Sequence, residues 1–150
     1  LDNIGLSNGM GFTLDRKQMY YTDSYALKIY IFDYEVETGA ISNQRVFVET
    51  PDGQGLPDGM TVDSEGYVWS ARAGGWTLHR YTPQGVEERS IAFPANKVSS
   101  VTFGGDELDE IYVTTIGGDN KAEGGSGAGG LFRLKLGIRG VPEFFSRISV

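Results

Sequence analysis

The chain has 150 residues and 16.3 kDa, no cysteine, and 13 Lys and Arg against 20 Asp and Glu, for a formal net charge of −7. Without a thiol there is no disulfide framework, thiolate metal cluster or cysteine nucleophile, and the acidic balance excludes a surface built to neutralise nucleic-acid phosphates or an anionic membrane. Twenty-two glycines beside 12% aromatic residues suit many short strands joined by tight turns and not a helical protein.

In chain order, candidate strands fall at 18–22, 28–32, 45–48, 67–71, 77–81, 111–114 and 131–134, each rich in Tyr, Val, Ile, Phe or Trp and bounded by Gly, Asp, Asn or Pro. No stretch sustains an apolar period of 3.6, so the expected class is all-β. Segment 117–130 is low-complexity and glycine-rich, and is expected as a loop; with no helix predicted after it and no Lys-Ser/Thr ending, it is not a phosphate cradle. No apolar run of 18 residues and no basic-then-apolar leader occurs, so the expectation is a cytoplasmic protein with no membrane partner and no nucleic-acid partner.

Internal similarity orders these strands. Ser7-Asn8-Gly9-Met10-Gly11-Phe12 aligns with Pro57-Asp58-Gly59-Met60-Thr61-Val62, and both align with Val98-Ser99-Ser100-Val101-Thr102-Phe103, so Asn8, Asp58 and Ser99 occupy one slot. The slots stand 50 and 41 residues apart, the length of one four-stranded propeller blade. A single domain of three blades is expected, roughly 5–54, 55–96 and 97–150. Three blades do not close a ring, and closure is what protects sheet edges. The chain is therefore expected either to continue in a longer product or to pair with a second copy.

Asn8 and Asp58 open the first strand of successive blades, so their side chains can converge on the axis. One amide oxygen and one carboxylate there suit a hard cation such as Ca²⁺, Mg²⁺ or Mn²⁺. The rival account of both residues is plain turn chemistry, since Asn or Asp before Gly is a common turn pair. His79, the sole histidine, has no sequence partner for a triad or metal set and is expected to be structural. Asp23 could reach the channel rim or cap a turn. Asp63, Glu65, Asp106, Glu107, Asp109 and Glu110 are expected in solvated turns, because they lack the spacing of a calcium loop. Trp69 and Trp76 are expected to pack between blades.

Ser7-Asn8-Gly9, Tyr20-Tyr21-Thr22-Asp23-Ser24, Phe32-Asp33-Tyr34, Thr38-Gly39, Ser42-Asn43-Gln44-Arg45, Leu56-Pro57-Asp58-Gly59-Met60, Gly66-Tyr67-Val68-Trp69 and Phe103-Gly104-Gly105 carry a further signal. With these motifs the chain resembles the senescence marker protein/regucalcin/gluconolactonase family, over nearly its whole length but only over the C-terminal half of a typical member. The resemblance implies a six-bladed propeller, of which this is half, with one divalent cation in its axial channel (Ca²⁺ first, with Zn²⁺, Mn²⁺ or Mg²⁺ as alternatives). It also implies hydrolysis of a sugar lactone or similar small cyclic ester. It puts metal ligands at Asn8 and Asp58 and makes Asp58 the general base, while the family's glutamate ligand and its other asparagine ligand belong to the half this chain does not carry. The alternative is a non-catalytic calcium-binding or interaction module that retains half of the site. In a homodimer closing the ring, two copies of Asn8 and Asp58 would face one channel.

Overall fold

The computed structural model describes residues 1–118 and 121–142. Short aromatic and β-branched runs separated by tight turns form three antiparallel sheets, in line with the all-β propeller architecture. The first sheet takes β1 (Ser7–Phe12), β2 (Gln18–Asp23), β3 (Lys28–Tyr34) and β4 (Ile41–Glu49) in that order. The second takes β5 (Leu56–Val62), β6 (Val68–Ala73), β7 (Thr77–Tyr81) and β8 (Glu87–Ala92). The third consists of β9 (Val98–Gly104), β10 (Glu110–Thr115) and β11 (Leu131–Leu134).

Successive side chains of a strand point to opposite faces, and the middle sheet uses both. Val68 and Tyr81, together with Met60 and Val62 of β5, face the first sheet and pack with its Tyr20, Ile29 and Val48. Trp69, Ala71 and Leu78 face the third, where they meet Phe93, Val98, Val101, Phe103, Ile111 and Val113. Strand β6 is therefore buried on both sides, and its single guanidinium, Arg72, donates to Ser70 Oγ at 2.6 Å and to the Tyr81 hydroxyl at 2.7 Å.

Strand β8 was not predicted. Its sequence, Glu87-Glu88-Arg89-Ser90-Ile91-Ala92, is mostly exposed, and an outer strand with little apolar alternation gives no signal. A second departure lies in the 117–130 segment, which holds a one-turn helix, α1 (Lys121–Gly124), where a loop without helix was expected. Backbone bonds tie the segment down: Asn96 N donates to the Gly124 carbonyl and Gly127 N to the Pro94 carbonyl.

Asp63 is the third correction. It was expected in a solvated turn, but it is wholly buried and serves as the hub of the second sheet. Its carboxylate accepts the Glu65 and Tyr67 backbone N–H groups at 3.0 Å, Trp69 Nε1 at 2.8 Å and Arg80 Nε at 2.8 Å. The Arg80 guanidinium also pairs with Glu65 and Glu88 and lies 3.8 Å from the centre of the Tyr67 ring. A turn carboxylate with four donors and a cation is stable without water.

One face of the first sheet carries an apolar row. Met10, Tyr21, Tyr30 and Val46 lie in register across it, and Met10 and Val46 are 55% and 51% exposed. Phe12 and Tyr34 pack beside them with ring centres 4.8 Å apart. Among the described residues no helix is long and apolar enough to cross a membrane.

Candidate functional site

The slot shared by Asn8, Asp58 and Ser99 has a common geometry in all three sheets. In β1, Ser7 pairs with Asp23 and Met10 with Tyr21, so Asn8 and Gly9 together oppose Thr22. In β5, Pro57 pairs with Arg72 and Met60 with Ser70, so Asp58 and Gly59 oppose Ala71. In β9, Val98 pairs with Thr115 and Ser100 with Thr114, which leaves Ser99 as the extra residue. An extra residue bends a strand and re-aims its side chain, a device common beside functional sites.

The glycines after the first two slots bring the inner strands together. A Cβ on Gly9 would sit 2.6 Å from the Asp58 carbonyl oxygen and 2.6 Å from Met60 N, and one on Gly59 would sit 2.8 Å from Ser100 Cα. Both glycines lie inside strands and neither adopts a left-handed φ. The Asn-Gly and Asp-Gly pairs are thus not turns, and the rival reading of Asn8 and Asp58 does not hold: glycine is there for close approach of neighbouring backbones.

The first and second slots, 50 residues apart in sequence, meet. Both residues are half-buried. Burial pushes the Asp58 carboxyl above its ordinary value, against hydrogen bonds from the Asn8 side chain and the Gly59 backbone N–H that pull it down. Asn8 Nδ2 also donates to Ser24 Oγ at 3.4 Å. The third slot offers only a hydroxyl, and Ser99 Oγ is bonded to Thr114 Oγ1 at 2.9 Å.

Asn8 Oδ1 and the Asp58 carboxylate are hard oxygen donors on adjacent strands, with half-burial that limits competing water. That donor chemistry fits an alkaline-earth or similar divalent cation. Among the described residues no three His, Asp or Glu side chains gather as a metal cluster. A cavity of about 370 Å³ lies elsewhere, at the far ends of β1 and β5, lined by Met10, Phe12, Leu14, Met60, Val62 and Val141, and touches neither slot residue. Among the described residues its lining is mostly apolar and includes no carboxylate or imidazole.

Other candidates resolve simply. Asp23 caps a turn: it is 3% exposed and its carboxylate accepts the N–H groups of Gly5, Leu6 and Ala26. His79 is buried between Thr77 Oγ1 at 2.8 Å and Glu87 at 3.1 Å on the second sheet. Trp69 is fully buried against Phe103, whereas Trp76 is 40% exposed and packs at the Gly125 backbone. Sequence reasoning missed Ser24, whose hydroxyl reaches both Asn8 and the carbonyl of Pro57. Those partners lie 16 and 33 residues away, so no local motif could show them.

Comparison with known proteins agrees with this architecture. Residues 1–117 match the model of the SMP-30/Gluconolactonase/LRE-like region. Pentonolactonase XacC of Haloferax volcanii is 47% identical over 98% of this chain and 53% of its own length, and regucalcin of Danio rerio is 36% identical over 95% and 50%. A solved luciferin-regenerating enzyme superposes with a TM-score of 0.84 at 35% identity, over 93% of this chain and 48% of that one. The chain spans about half the length of the curated relatives it matches. With three propeller-like sheets, a repeated bulged slot and a family match over most of its residues, the chain belongs to the SMP-30/gluconolactonase/LRE-like family.

Proposed function

We propose that this chain contributes half of an axial site for divalent-cation-dependent hydrolysis of a sugar lactone or similar small cyclic ester. The observation that carries this reading is the meeting of Asn8 and Asp58, one amide oxygen and one carboxylate, at matching bulges of adjacent inner strands. A relative named for pentonolactone hydrolysis, at 47% identity, supports this chemistry over a non-catalytic binding module.

Asn8 Oδ1 and the Asp58 carboxylate would hold the cation, with calcium favoured by the all-oxygen donors and Mn²⁺, Mg²⁺ or Zn²⁺ accepted. When bound, the cation supplies Lewis-acid polarisation of the lactone carbonyl. Asp58 acts as general base: its carboxylate takes a proton from water as the water oxygen bonds to the carbonyl carbon. The ring C–O bond then breaks, its electron pair and a proton go to the ring oxygen, and the product is the open hydroxy acid. The Asn8 side chain favours the ionised form of the Asp58 carboxylate. The remaining ligands and the substrate-reading side chains come from three further blades, on the same polypeptide or a second copy.

Hydrolysis of five- and six-carbon aldonolactones, followed by acid release, tests this. Chelation should stop turnover and added Ca²⁺ or Mn²⁺ restore it, and Asp58→Asn should lower kcat by roughly 100-fold or more, the scale of a lost general base. Full turnover after chelation, or in Asp58→Asn, would exclude it.

A further inference from the structure

We infer that Ser24 is a positioning residue for the site: its hydroxyl fixes which way the Asn8 amide faces and ties that amide to the strand carrying Asp58. This rests on the cation reading above and specifies how the site is built.

Ser24 follows β2 and is 1% exposed. Its hydroxyl lies 2.6 Å from the Pro57 carbonyl oxygen, and a carbonyl can only accept, so the single Ser24 proton is committed to Pro57. Toward its other neighbour, Asn8, the hydroxyl oxygen can then only accept. The Asn8 atom facing it at 3.4 Å must therefore be the donor nitrogen, Nδ2. Oδ1, the side-chain atom of Asn8 able to ligate a cation, is thereby turned away from Ser24.

Ser24 is itself held from several directions. Its N–H donates to the Leu6 carbonyl at 3.0 Å and its carbonyl accepts Leu27 N–H at 3.2 Å. The preceding residue, Asp23, gathers the N–H groups of Gly5, Leu6 and Ala26. The corner between β2 and β3 is therefore fastened to the residues just before β1, and Ser24 transmits that fixed position to Asn8 on one side and Pro57 on the other. The matching positions of the other two sheets, Ala73 and Ile116, carry no hydroxyl, so the device belongs to the one blade whose slot holds an amide that can flip. The carboxylate of Asp58 is symmetric and needs no such orientation; Asn8 does.

The test is calcium binding by titration calorimetry with no substrate present, on wild type, Ser24→Ala, Ser24→Thr and Asp58→Ala. Ser24→Ala should raise the calcium Kd about tenfold or more, the scale of a lost outer-shell contact, while Ser24→Thr, which keeps the hydroxyl, retains most of the affinity. Asp58→Ala should abolish binding. Wild-type affinity in Ser24→Ala, with binding lost in Asp58→Ala, would overturn the role of Ser24 and leave the cation reading standing. Unchanged binding in Asp58→Ala would remove the cation reading itself. Should Ser24→Ala fail to fold, nuclear Overhauser contacts between the Asn8 Nδ2 protons and the Ser24 Cβ protons in the wild-type protein are expected. An amide turned with its oxygen toward Ser24 would overturn the proposal.

Discussion

Gly9 and Gly59 set the spacing on which the site depends. A methyl group at Gly9 meets backbone atoms of Asp58 and Met60, which cannot swing aside as a flexible side chain would. Gly9→Ala is expected to cost about 1–3 kcal/mol, the usual range for overpacking, in a denaturant titration, and to weaken cation binding because the strand carrying Asp58 is the one displaced. Asp63 predicts a different kind of loss. It lies wholly buried against Arg80, and Asp63→Ala would strand that guanidinium with only the exposed Glu65 and half-exposed Glu88 as partners. Removing one member of a buried pair typically costs about 3–5 kcal/mol, and a change below about 1 kcal/mol would show that Glu65 and Glu88 suffice.

Within the second sheet, β7 carries the sole histidine, and this gives the molecule a defined pH response. Burial first, and then the nearby Arg72 charge, hold the His79 imidazole below its ordinary value of 6.5, against the pull of Glu87. The folded chain thus favours neutral His79, while the unfolded chain protonates at the ordinary value. The associated stability is complete above pH 6.5 and is lost as pH falls through that value toward the lower folded one. Melting temperature should therefore drop between pH 7.5 and about pH 5.5, and His79→Gln should flatten that slope. An equal slope in the variant would place the response elsewhere. The same sheet shows what a sequence can and cannot reveal. Strand β7 was legible to the residue because Thr77-Leu78-His79-Arg80-Tyr81 is a short run ending in an aromatic residue and bounded by turn residues, and β8 was not, because an outer strand faces solvent and carries little apolar signal. Asn8 and Asp58 were legible because the slot repeats. Ser24 was hidden because its partners lie 16 and 33 residues away, and the burial of Asp63 because the cation that pairs with it, Arg80, lies 17 residues away on β7.

At the scale of the whole molecule, three sheets stand side by side, and the row Met10, Tyr21, Tyr30 and Val46 on the first ends in two apolar side chains, Met10 and Val46, that are 55% and 51% exposed. Large exposed apolar faces mark surfaces that are covered in the working assembly, and a propeller covers them by closing its ring. The 150-residue chain alone is expected to sediment at twice its 16.3 kDa mass or as larger species; a well-folded single-chain mass would show that this face needs no cover. The propeller repeat could be counted from sequence, but the apolar row with its two exposed ends emerges only from strand register, because each of its residues also looks like an ordinary core position.

The shared cation of Asn8 and Asp58 is the claim from which the rest follows. The most direct measurement is an anomalous-scattering map from crystals of the protein grown with Mn²⁺. One peak is predicted between Asn8 Oδ1 and the Asp58 carboxylate, at the roughly 2.0–2.6 Å typical of oxygen ligands to divalent cations. A peak elsewhere, or none beside these two residues at saturating Mn²⁺, would contradict it.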